Sequence, residues 1–351
     1  MKVCVLTTST DVADGWGRYA AGLVESLQAQ GVEVVTITQE LPNPLTYRVY
    51  FLAWWYAWRL RTRARDCDLI HAFVEPYAYI AYCLACVTGR RYLITAHGTW
   101  SVLPYGLSAP KKHLHTKAFA NATAVICVSD YTKRRLEHFG LSNLVVINNG
   151  INFERFHQMA TTIARENHIV SVGALNPAKG YHVALRAFAQ VVAVVPSATY
   201  RIIGNQGNAA YVTVLRRLAV ELGISGAVTF AENVSHQELL AAYHQAAVFM
   251  LLPVNRGFDF EGFGLVYLEA GACGLPVVGS RDSGAEDAIR NGVTGFLVAQ
   301  NDPQRTADAV VRILRDGPLA ARLATGGVEW AKAHDWGIIA TRYLALYTRQ
   351  I

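Results

Sequence analysis

Short apolar runs rich in β-branched residues alternate along the chain with longer stretches in which apolar residues recur at helical spacing. This alternation predicts parallel sheets with helices on both faces, so the fold class is α/β with two doubly wound domains. Six strands are predicted in each half, at Lys2–Thr7, Glu33–Thr38, Leu69–Phe73, Arg91–Thr95, Ala124–Val128 and Leu144–Ile147, and then at His168–Val172, Thr199–Ile203, Ala227–Phe230, Val248–Leu252, Pro276–Ser280 and Gly295–Val298.

The length of 351 residues fits two domains of roughly 150–200 residues each. The turn residues Asn148-Asn149-Gly150-Ile151 end the first series of strands. They predict an N-terminal domain over 1–150 and a C-terminal domain over 151–333. In doubly wound sheets ligands bind beyond the carboxyl ends of the strands, so the residues that follow each strand are the candidate site residues.

The composition is typical of a globular protein with large buried cores. Hydrophobic residues make up 52% of the chain and charged residues only 17%, which favours large buried cores and argues against disorder. The net charge of +6 includes no dense basic run interleaved with aromatics, so no nucleic-acid partner is expected. The first residues lack a cationic n-region, and no apolar run reaches the ~18–20 residues that span a bilayer, so we expect neither a secretory signal nor a membrane span.

The six cysteines lie mostly in apolar strand or helix patterns. Cys83 and Cys86 form a CxxC motif, but no second pair accompanies it and its surroundings are apolar. Buried free thiols are therefore favoured over a zinc or redox site.

The segment Asp259–Val278 carries the most informative pattern, because Glu261 and Glu269 bracket the turn Gly262-Phe-Gly264 and a helix-like run follows. The two glycines allow the backbone to approach a ligand, since they have no Cβ. Free amides at the start of the helix would face an anion, and Glu269, about a turn further on, can accept hydrogen bonds from two vicinal hydroxyls. A phosphate beside a diol indicates a nucleotide or a sugar phosphate. The alternative is a glycine turn and a capped helix with two surface glutamates.

Further candidates follow other predicted strands. Two glycines after the first strand are expected to form a flexible loop that opens a helix at about Arg18. A histidine and a glycine follow the fourth strand, and glycines follow the first two strands of the second half, one of them with a lysine nearby. These residues are Gly15, Gly17, His97, Gly98, Gly173, Lys179, Gly204 and Asn205.

Taken together, this order resembles the retaining GT-B nucleotide-sugar transferases, in particular glycosyltransferase family 4, over nearly the whole chain. The Glu261-x7-Glu269 motif, within EGFG and EAGACGLPVV, is the strongest match. The other matching features are the Gly15–Gly17 loop, His97-Gly98, VSDYTKRRLEHFG, Asn149-Gly150-Ile151, Lys179-Gly180 and FAENVSHQELLAAYHQAAVFMLLP. The resemblance implies a GT-B fold, in which two Rossmann-like domains face a central cleft.

The resemblance also implies roles for residues of the second domain. Glu269 would hold the ribose hydroxyls of a nucleoside-diphosphate sugar, Lys179 its diphosphate, and Glu261 the transferred sugar. Other residues would complete the nucleotide-sugar site. These are Phe263, Gly264 and Leu265 for the phosphate cradle, Asn233 and Val234 near the base, and Gly173, Gly204 and Asn205 at the strand ends.

In the first domain, His97 would lie over the transferred sugar, and Gly15 and Gly17 would line the acceptor or phosphate side. His97, Lys179 and Glu261 are accordingly the predicted catalytic residues. The last residues, 334–351, look like the final helix of the family, which crosses back to the N-terminal domain.

The implied activity is transfer of a hexose from a nucleoside-diphosphate sugar to a hydroxyl acceptor, with retention of configuration and with the departing phosphate taking the acceptor proton. No DxD-type pair is found, so no obligatory metal or other cofactor is expected. Many relatives glycosylate lipid-linked acceptors, which implies a lipid-linked or envelope-glycan acceptor and a cytoplasmic location, at the inner face of the cytoplasmic membrane.

One position departs from the family pattern. An arginine usually follows the glycine of the VG-R-L segment as a second diphosphate ligand, and here the residue is Ala174. One charge-assisted hydrogen bond contributes about 1.5–3 kcal/mol, or roughly 10- to 150-fold in binding. Arg256 or Arg281 would supply the missing positive charge.

Three other functions remain as alternatives to the transferase. They are a nucleotide-sugar epimerase of the same fold, a glycan phosphorylase, and a weakened homologue that only binds the nucleotide sugar.

The segment Tyr47–Arg65, YRVYFLAWWYAWRLRTRAR, contains three tryptophans and five arginines in one candidate helix. Its apolar part is too short to span a bilayer. Aromatic rings flanked by arginines suit the interface of an anionic membrane, which predicts a peripheral contact. The alternative is a helix that buries its aromatics in the N-terminal domain and ends in a solvated basic tail.

Overall fold

The computed structural model describes residues 1–9, 15–44, 46, 48–157 and 167–350. Within these residues the chain divides into two compact units, Met1–Gly150 with Asp335–Ile351 and Ile151–His334. Each unit contains one sheet of six parallel strands. The predicted α/β fold of two doubly wound sheets is confirmed.

The first sheet has the strand order β2-β1-β3-β4-β5-β6. Its strands are β1 (Lys2–Leu6), β2 (Glu33–Ile37), β3 (Leu69–Ala72), β4 (Arg91–Ala96), β5 (Ala124–Cys127) and β6 (Leu144–Val146). β1 and β3 to β5 are almost wholly buried, because helices cover both faces of the sheet. The register pairs Val3 with both Val34 and Leu69, which places the ends of β2 and β3 beside the end of β1.

The second sheet has the order β12-β11-β10-β7-β8-β9. Its strands are β7 (His168–Val172), β8 (Thr199–Ile203), β9 (Val228–Ala231), β10 (Val248–Met250), β11 (Val277–Ser280) and β12 (Gly295–Val298). The order reverses beside β7, so the residues that follow β7 and β10 lie at a topological switch point. Ligands of doubly wound sheets bind in such crevices.

Helices connect the strands. Those of the first unit are α1 (Gly15–Ala29), α2 (Arg48–Phe51), α3 (Ala53–Arg65), α4 (Ala78–Thr88), α5 (Thr99–Val102), α6 (Ala109–Ala120), α7 (Asp130–Glu137) and α16 (Trp336–Gln350). Those of the second unit are α8 (Phe153–His157), α9 (Tyr181–Val194), α10 (Ala209–Glu221), α11 (His236–Gln245), α12 (Leu265–Ala272), α13 (Ala285–Ala288), α14 (Pro303–Arg315) and α15 (Gly317–Ala333). No helix among the described residues has both the length and the apolar character needed to cross a bilayer.

Two expectations for local structure were wrong. Gly15 and Gly17 do not precede the helix as a flexible loop, because α1 begins at Gly15 itself and Gly17 is buried in its first turn. The segment 47–65 is not one helix, since α2 ends at Phe51 and α3 begins at Ala53. Tyr47 lies outside the described residues.

The last helix, α16, packs in the core of the first unit beside α1. Trp336 is the main anchor. A Cβ added at Gly22 would lie 2.0 Å from its Nε1 atom, and one at Gly150 would lie 2.5 Å from its Cδ2 atom. Glycine is therefore required at both positions to admit the indole ring.

A buried hydrogen-bond network joins α16 to the sheet. The His71 ring bonds Tyr347 Oη at 2.6 Å and Thr95 Oγ1 at 2.9 Å, and Tyr19 Oη bonds Thr95 and Tyr343. Burial lowers the pKa of His71 to about 3, so the ring is neutral at physiological pH. The network satisfies polar atoms that would otherwise be costly in the core.

Candidate functional site

The turn between Glu261 and α12 is fixed by close backbone packing. Gly264 has φ 85° and forms the N-cap of α12. A Cβ there would meet the Tyr267 ring at 2.5 Å, and one at Gly284 would lie 2.0 Å from the Gly262 carbonyl oxygen. The Gly284 amide also donates to the carbonyl of Glu261 at 2.8 Å. The glycines therefore hold a tight turn that leads into the N-terminus of α12, and a helix N-terminus favours an anion.

Lys179 contacts Glu261. Its Nζ atom lies 2.5 Å from Glu261 Oε2, and the two side chains are 27% and 10% exposed. Lys179 ends a short 3-10 turn, Pro177–Lys179, that Asn176 caps by accepting from the Lys179 amide. The next residue, Gly180, has φ 69°, and a Cβ there would clash with the Leu252 carbonyl oxygen at 1.6 Å. The lysine is thus held where the ends of β7 and β10 meet.

Two further glycines bring the end of β8 to the same place. Gly173 has φ 152°, and its Cβ position is 4.0 Å from Lys179 Cε. A Cβ at Gly204 would lie only 1.9 Å from the Gly173 carbonyl oxygen. The structure therefore brings Gly173, Lys179, Gly204 and Glu261 together in one cluster.

Glu269 is buried in α12, with only 2% of its surface exposed. Its Oε2 atom accepts a hydrogen bond from Tyr243 Oη at 3.1 Å. Tyr243 lies on the buried face of α11 and was not a sequence candidate. A tyrosine within an apolar helix face is the only sequence signal it carries, and that signal is typical of core residues.

The other predicted residues of this unit follow β8 and β9 or lie in the turn. Leu175 N donates to the Asn205 carbonyl at 2.9 Å, while the Asn205 side chain accepts from Gly207 N. Asn233 is exposed with φ 55°, and Val234 beside it is partly buried. In the turn, the Phe263 ring is buried and Leu265 is partly buried.

His97 follows β4 in the first unit and is partly buried. Its Nε2 atom lies 2.8 Å from the Phe73 carbonyl oxygen, and its ring packs edge-on against Tyr19 with 4.6 Å between centroids. Burial lowers the pKa of His97, while the charge of Glu75 opposes that shift. Glu75, which contacts the His97 backbone, was not a sequence candidate, because a glutamate before a proline resembles a surface turn.

Ala174 is exposed and offers no charge to replace the expected arginine. Arg256 lines a cavity of about 480 Å³ together with Pro177, His182 and Tyr211. Neither Lys179 nor Glu261 lines that cavity. Arg281 is exposed after β11. The substitution of Arg256 or Arg281 for the arginine expected at position 174 therefore stays a prediction.

The six cysteines are free thiols, and all are buried except Cys86. Burial raises the pKa of Cys83 to about 12, so its thiol is protonated. Among the described residues, no group of three or more His, Cys, Asp or Glu side chains could hold a metal ion.

The aromatic-basic segment, defined as α2 and α3 with Leu52 between them, exposes its three tryptophans and Phe51. Trp54, Trp55 and Trp58 are 56%, 48% and 61% exposed, and Phe51 is also exposed. The buried face of α3 consists of small residues and one leucine, and this face contains Ala53, Ala57, Leu60 and Ala64. The alternative in which the tryptophans are buried in the core is therefore wrong.

Comparison with known families and structures agrees with this architecture. The model of "Glycosyl transferases group 1" matches residues 152–330, and that of "Glycosyltransferase Family 4" matches residues 13–155. Similar structures include Anabaena HepE in complex with UDP, with a TM-score of 0.79 and 20% identity over 99% of this chain and 100% of that one. Sucrose-phosphate synthase from Thermosynechococcus elongatus has a TM-score of 0.80 and 22% identity over 99% and 98%.

Among relatives, a GDP-mannose-dependent alpha-(1-6)-phosphatidylinositol monomannoside mannosyltransferase of Mycolicibacterium smegmatis is 33% identical over 69% of this chain and 65% of its own length. A D-inositol 3-phosphate glycosyltransferase of Thermobispora bispora is 33% identical over 62% of this chain and 53% of its own length. The chain thus spans less than two thirds of the length of these two relatives. The two family models together cover nearly all of the chain, which belongs to glycosyltransferase family 4 and has the GT-B fold.

Proposed function

We propose that the chain is a retaining hexosyltransferase that uses a nucleoside-diphosphate sugar and a hydroxyl acceptor, and that the acceptor is a lipid-linked or envelope glycan. The observation that carries the proposal is the cluster in the second unit, where the Lys179–Glu261 pair lies beside the glycine-capped start of α12. The buried Glu269 lies one turn further along that helix. A cation, the N-terminus of a helix and buried or partly buried carboxylates suit a diphosphate, a sugar and a ribose.

The proposed chemistry needs stabilisation of the leaving group. The bond between the anomeric carbon and the diphosphate oxygen breaks, and the electron pair leaves with the diphosphate. Lys179 and the first amides of α12 would offset that charge, which is electrostatic stabilisation by preorganised donors and requires no obligatory metal. The acceptor oxygen attacks from the same face and its proton passes to the departing phosphate, so configuration is retained. Glu261 would position the sugar and would not act as a covalent nucleophile.

The test is a donor panel with and without acceptor. Nucleoside diphosphates are screened by thermal shift, since a ligand that binds the folded state raises its apparent stability. Hydrolysis or transfer is then followed with UDP- and GDP-sugars, in the presence and absence of a lipid-acceptor extract. Retained configuration in an acceptor-dependent product supports the proposal. Product formed without an acceptor favours the epimerase alternative.

A second candidate is a homologue that binds the nucleotide sugar without transferring it. The exposed Ala174, in place of the usual arginine, is the observation that favours it. In that case, a nucleoside diphosphate would shift the melting temperature, yet no donor would be turned over with any acceptor. Replacing Ala174 with arginine would then be expected to tighten binding by roughly 10- to 150-fold.

We also propose that the aromatic-basic segment contacts an anionic membrane, which would place the protein at the inner face of the cytoplasmic membrane. Two cation–π pairs line its exposed side, with the Arg59 guanidinium 5.4 Å from the Trp55 ring and the Arg61 guanidinium 4.1 Å from the Trp58 ring. Exposed rings suit headgroup depth, and arginines suit lipid phosphates.

Flotation with liposomes of mixed neutral and anionic lipid tests this contact. The double variant Trp54→Ala/Trp58→Ala is expected to lose flotation at low salt. Trp100→Ala is the matched control, because Trp100 is also exposed but lies outside the segment. Equal flotation of both variants, or none by the unaltered protein, would contradict the proposed contact.

A further inference from the structure

A buried glutamate in the first unit has no part in the chemistry proposed above. Glu75 begins the 3-10 turn Glu75–Tyr77 that follows β3, and only 1% of its surface is exposed. Carboxylates are rarely buried to this degree without a specific set of partners. Its contacts therefore need an explanation.

All the hydrogen bonds to this carboxylate come from the segment that follows β4. Glu75 Oε1 accepts from the His97 amide at 2.7 Å, from the Gly98 amide at 3.2 Å and from Ser101 Oγ at 2.9 Å. Two consecutive amides can point at one oxygen only where the backbone turns sharply. Gly98 permits that turn, with φ 142° and ψ −117°.

The same short stretch of chain also holds the imidazole of His97. The Phe73 carbonyl, two residues before Glu75, lies 2.8 Å from His97 Nε2. A carbonyl oxygen can only accept, so Nε2 carries the proton in this contact. In the neutral ring Nδ1 is then the acceptor. His97 Nδ1 has no hydrogen-bond partner among the described residues, so it is available to a hydroxyl group.

We infer that Glu75 is a positioning residue, which fixes the His97-Gly98 turn so that His97 offers an unprotonated Nδ1 to a hydroxyl of the acceptor. The inference deepens the proposed function and rests on it for the identity of the hydroxyl. The carboxylate fixes the backbone of His97, and the Phe73 carbonyl fixes its ring. Both contacts start from residues 73–75, so one rigid strand end sets the position and the tautomer of the imidazole.

The second oxygen of Glu75 supports this interpretation. Oε2 is buried and has no hydrogen-bond partner among the described residues. A glutamate that served only to stabilise the fold would be expected to satisfy both oxygens, since an unsatisfied buried acceptor is costly. Here every donor instead converges on the oxygen that faces the His97-Gly98 turn.

The test compares Glu75→Ala with Glu75→Gln and Ser101→Ala. Glu75→Ala removes the acceptor of both amides, and misplacement of the imidazole by about 1 Å is expected to lower kcat/KM for transfer by roughly 100-fold. Glu75→Gln retains a carbonyl oxygen for those amides and is expected to restore most of the activity. Ser101→Ala is the matched control, because it removes a buried donor to the same oxygen without touching the His97 backbone.

Two readouts separate positioning from a structural role. The thermal shift with UDP or GDP is expected to be unchanged in all three variants, because the proposed nucleotide site lies in the other unit. The ¹⁵N spectrum of His97, assigned with a His97→Gln variant, is expected to show an unprotonated Nδ1 in the unaltered protein and a mixture of tautomers in Glu75→Ala.

A protonated Nδ1 in the unaltered protein would overturn the inference, even if Glu75→Ala did not fold. So would an unchanged tautomer in a folded Glu75→Ala, or an equal loss of kcat/KM in Ser101→Ala. The spectrum requires no transfer reaction. If the proposed function failed because no donor was turned over, the tautomer would still decide whether Glu75 positions His97.

Discussion

Replacing either partner of the Lys179–Glu261 pair is expected to lower the stability of the second unit, but by different amounts. In Lys179→Met, the carboxylate of Glu261 loses its partner where its side chain is 10% exposed. In Glu261→Gln, the lysine loses its partner where its side chain is 27% exposed, and its long stem can carry the ammonium to water. Lys179→Met should therefore destabilise the second unit more than Glu261→Gln does.

The magnitudes follow from the burial. Removing one partner of a fully buried pair costs about 3–5 kcal/mol, and an exposed pair contributes about 0–1 kcal/mol. The partly buried pair lies between these limits, so we expect about 2 kcal/mol for Lys179→Met and less than about 1 kcal/mol for Glu261→Gln. For a unit of this size, 2 kcal/mol corresponds to a fall in Tm of about 4–8 °C.

Ligand binding separates the two residues further. At a nucleoside diphosphate concentration of 100 times Kd, the unaltered protein gains about 2.7 kcal/mol of stability. Loss of one charge-assisted hydrogen bond weakens binding roughly 10- to 150-fold, which leaves Lys179→Met with at most about 1.4 kcal/mol at that concentration. Glu261→Gln is expected to keep at least the full gain but to lose transfer.

Differential scanning fluorimetry of both variants and the double variant, with and without UDP or GDP, measures these quantities. The double variant should be more stable than the sum of the two single losses indicates, because neither charge is then left alone. Equal losses of stability in the single variants, or a full diphosphate shift in Lys179→Met, would refute the assigned roles.

Two further predictions concern the first unit. Burial lowers the pKa of His115 to about 4, below its unfolded value near 6.5, so the unfolded state binds more protons and His115 alone should lower stability by about 1 kcal/mol between pH 6.5 and 5.5. Urea unfolding at both pH values should show a smaller fall in His115→Gln but an unchanged one in the exposed control His113→Gln. Gly22→Ala should lose about 1–2 kcal/mol, since overpacking against Trp336 outweighs the gain in helix propensity. Gly15→Ala, in the same helix with open space around its Cβ, should show no such loss in thermal unfolding.

The backbone of the fold was predictable because its determinants are local. Apolar runs bounded by turn residues predicted all twelve strands, and His168–Val172 and Thr199–Ile203 match to the residue. Deviations occur at strand ends, as at Val248–Met250, where the predicted strand ran on through Leu252. Those two leucines are buried and apolar like the strand itself, so hydropathy alone does not show where ladder pairing stops.

The side-chain partners were not predictable, because they are distant in sequence. Glu75 contacts a turn 22 residues away, and Tyr243 contacts a glutamate 26 residues away. Trp336 fills the space above Gly22 from the other end of the chain. The local sequence around a glutamate before a proline is the same whether it lies on the surface or contacts a site residue. The local sequence around a tyrosine in an apolar helix is likewise the same whether it only fills the core or contacts a site residue.

Because position 174 is not an arginine, the Lys179–Glu261 ion pair is expected to affect how tightly a diphosphate binds. Lys179 cannot give its full charge to a diphosphate while Glu261 stays 2.5 Å from its Nζ atom. With Ala174 exposed beside Gly173, the proposed diphosphate site gains no second cation from that position, so the amides of α12 must offset more of the charge. Affinity for a nucleoside diphosphate without the sugar should therefore rise in Glu261→Gln even as transfer is lost, because the lysine no longer has to leave a carboxylate in order to bind phosphate.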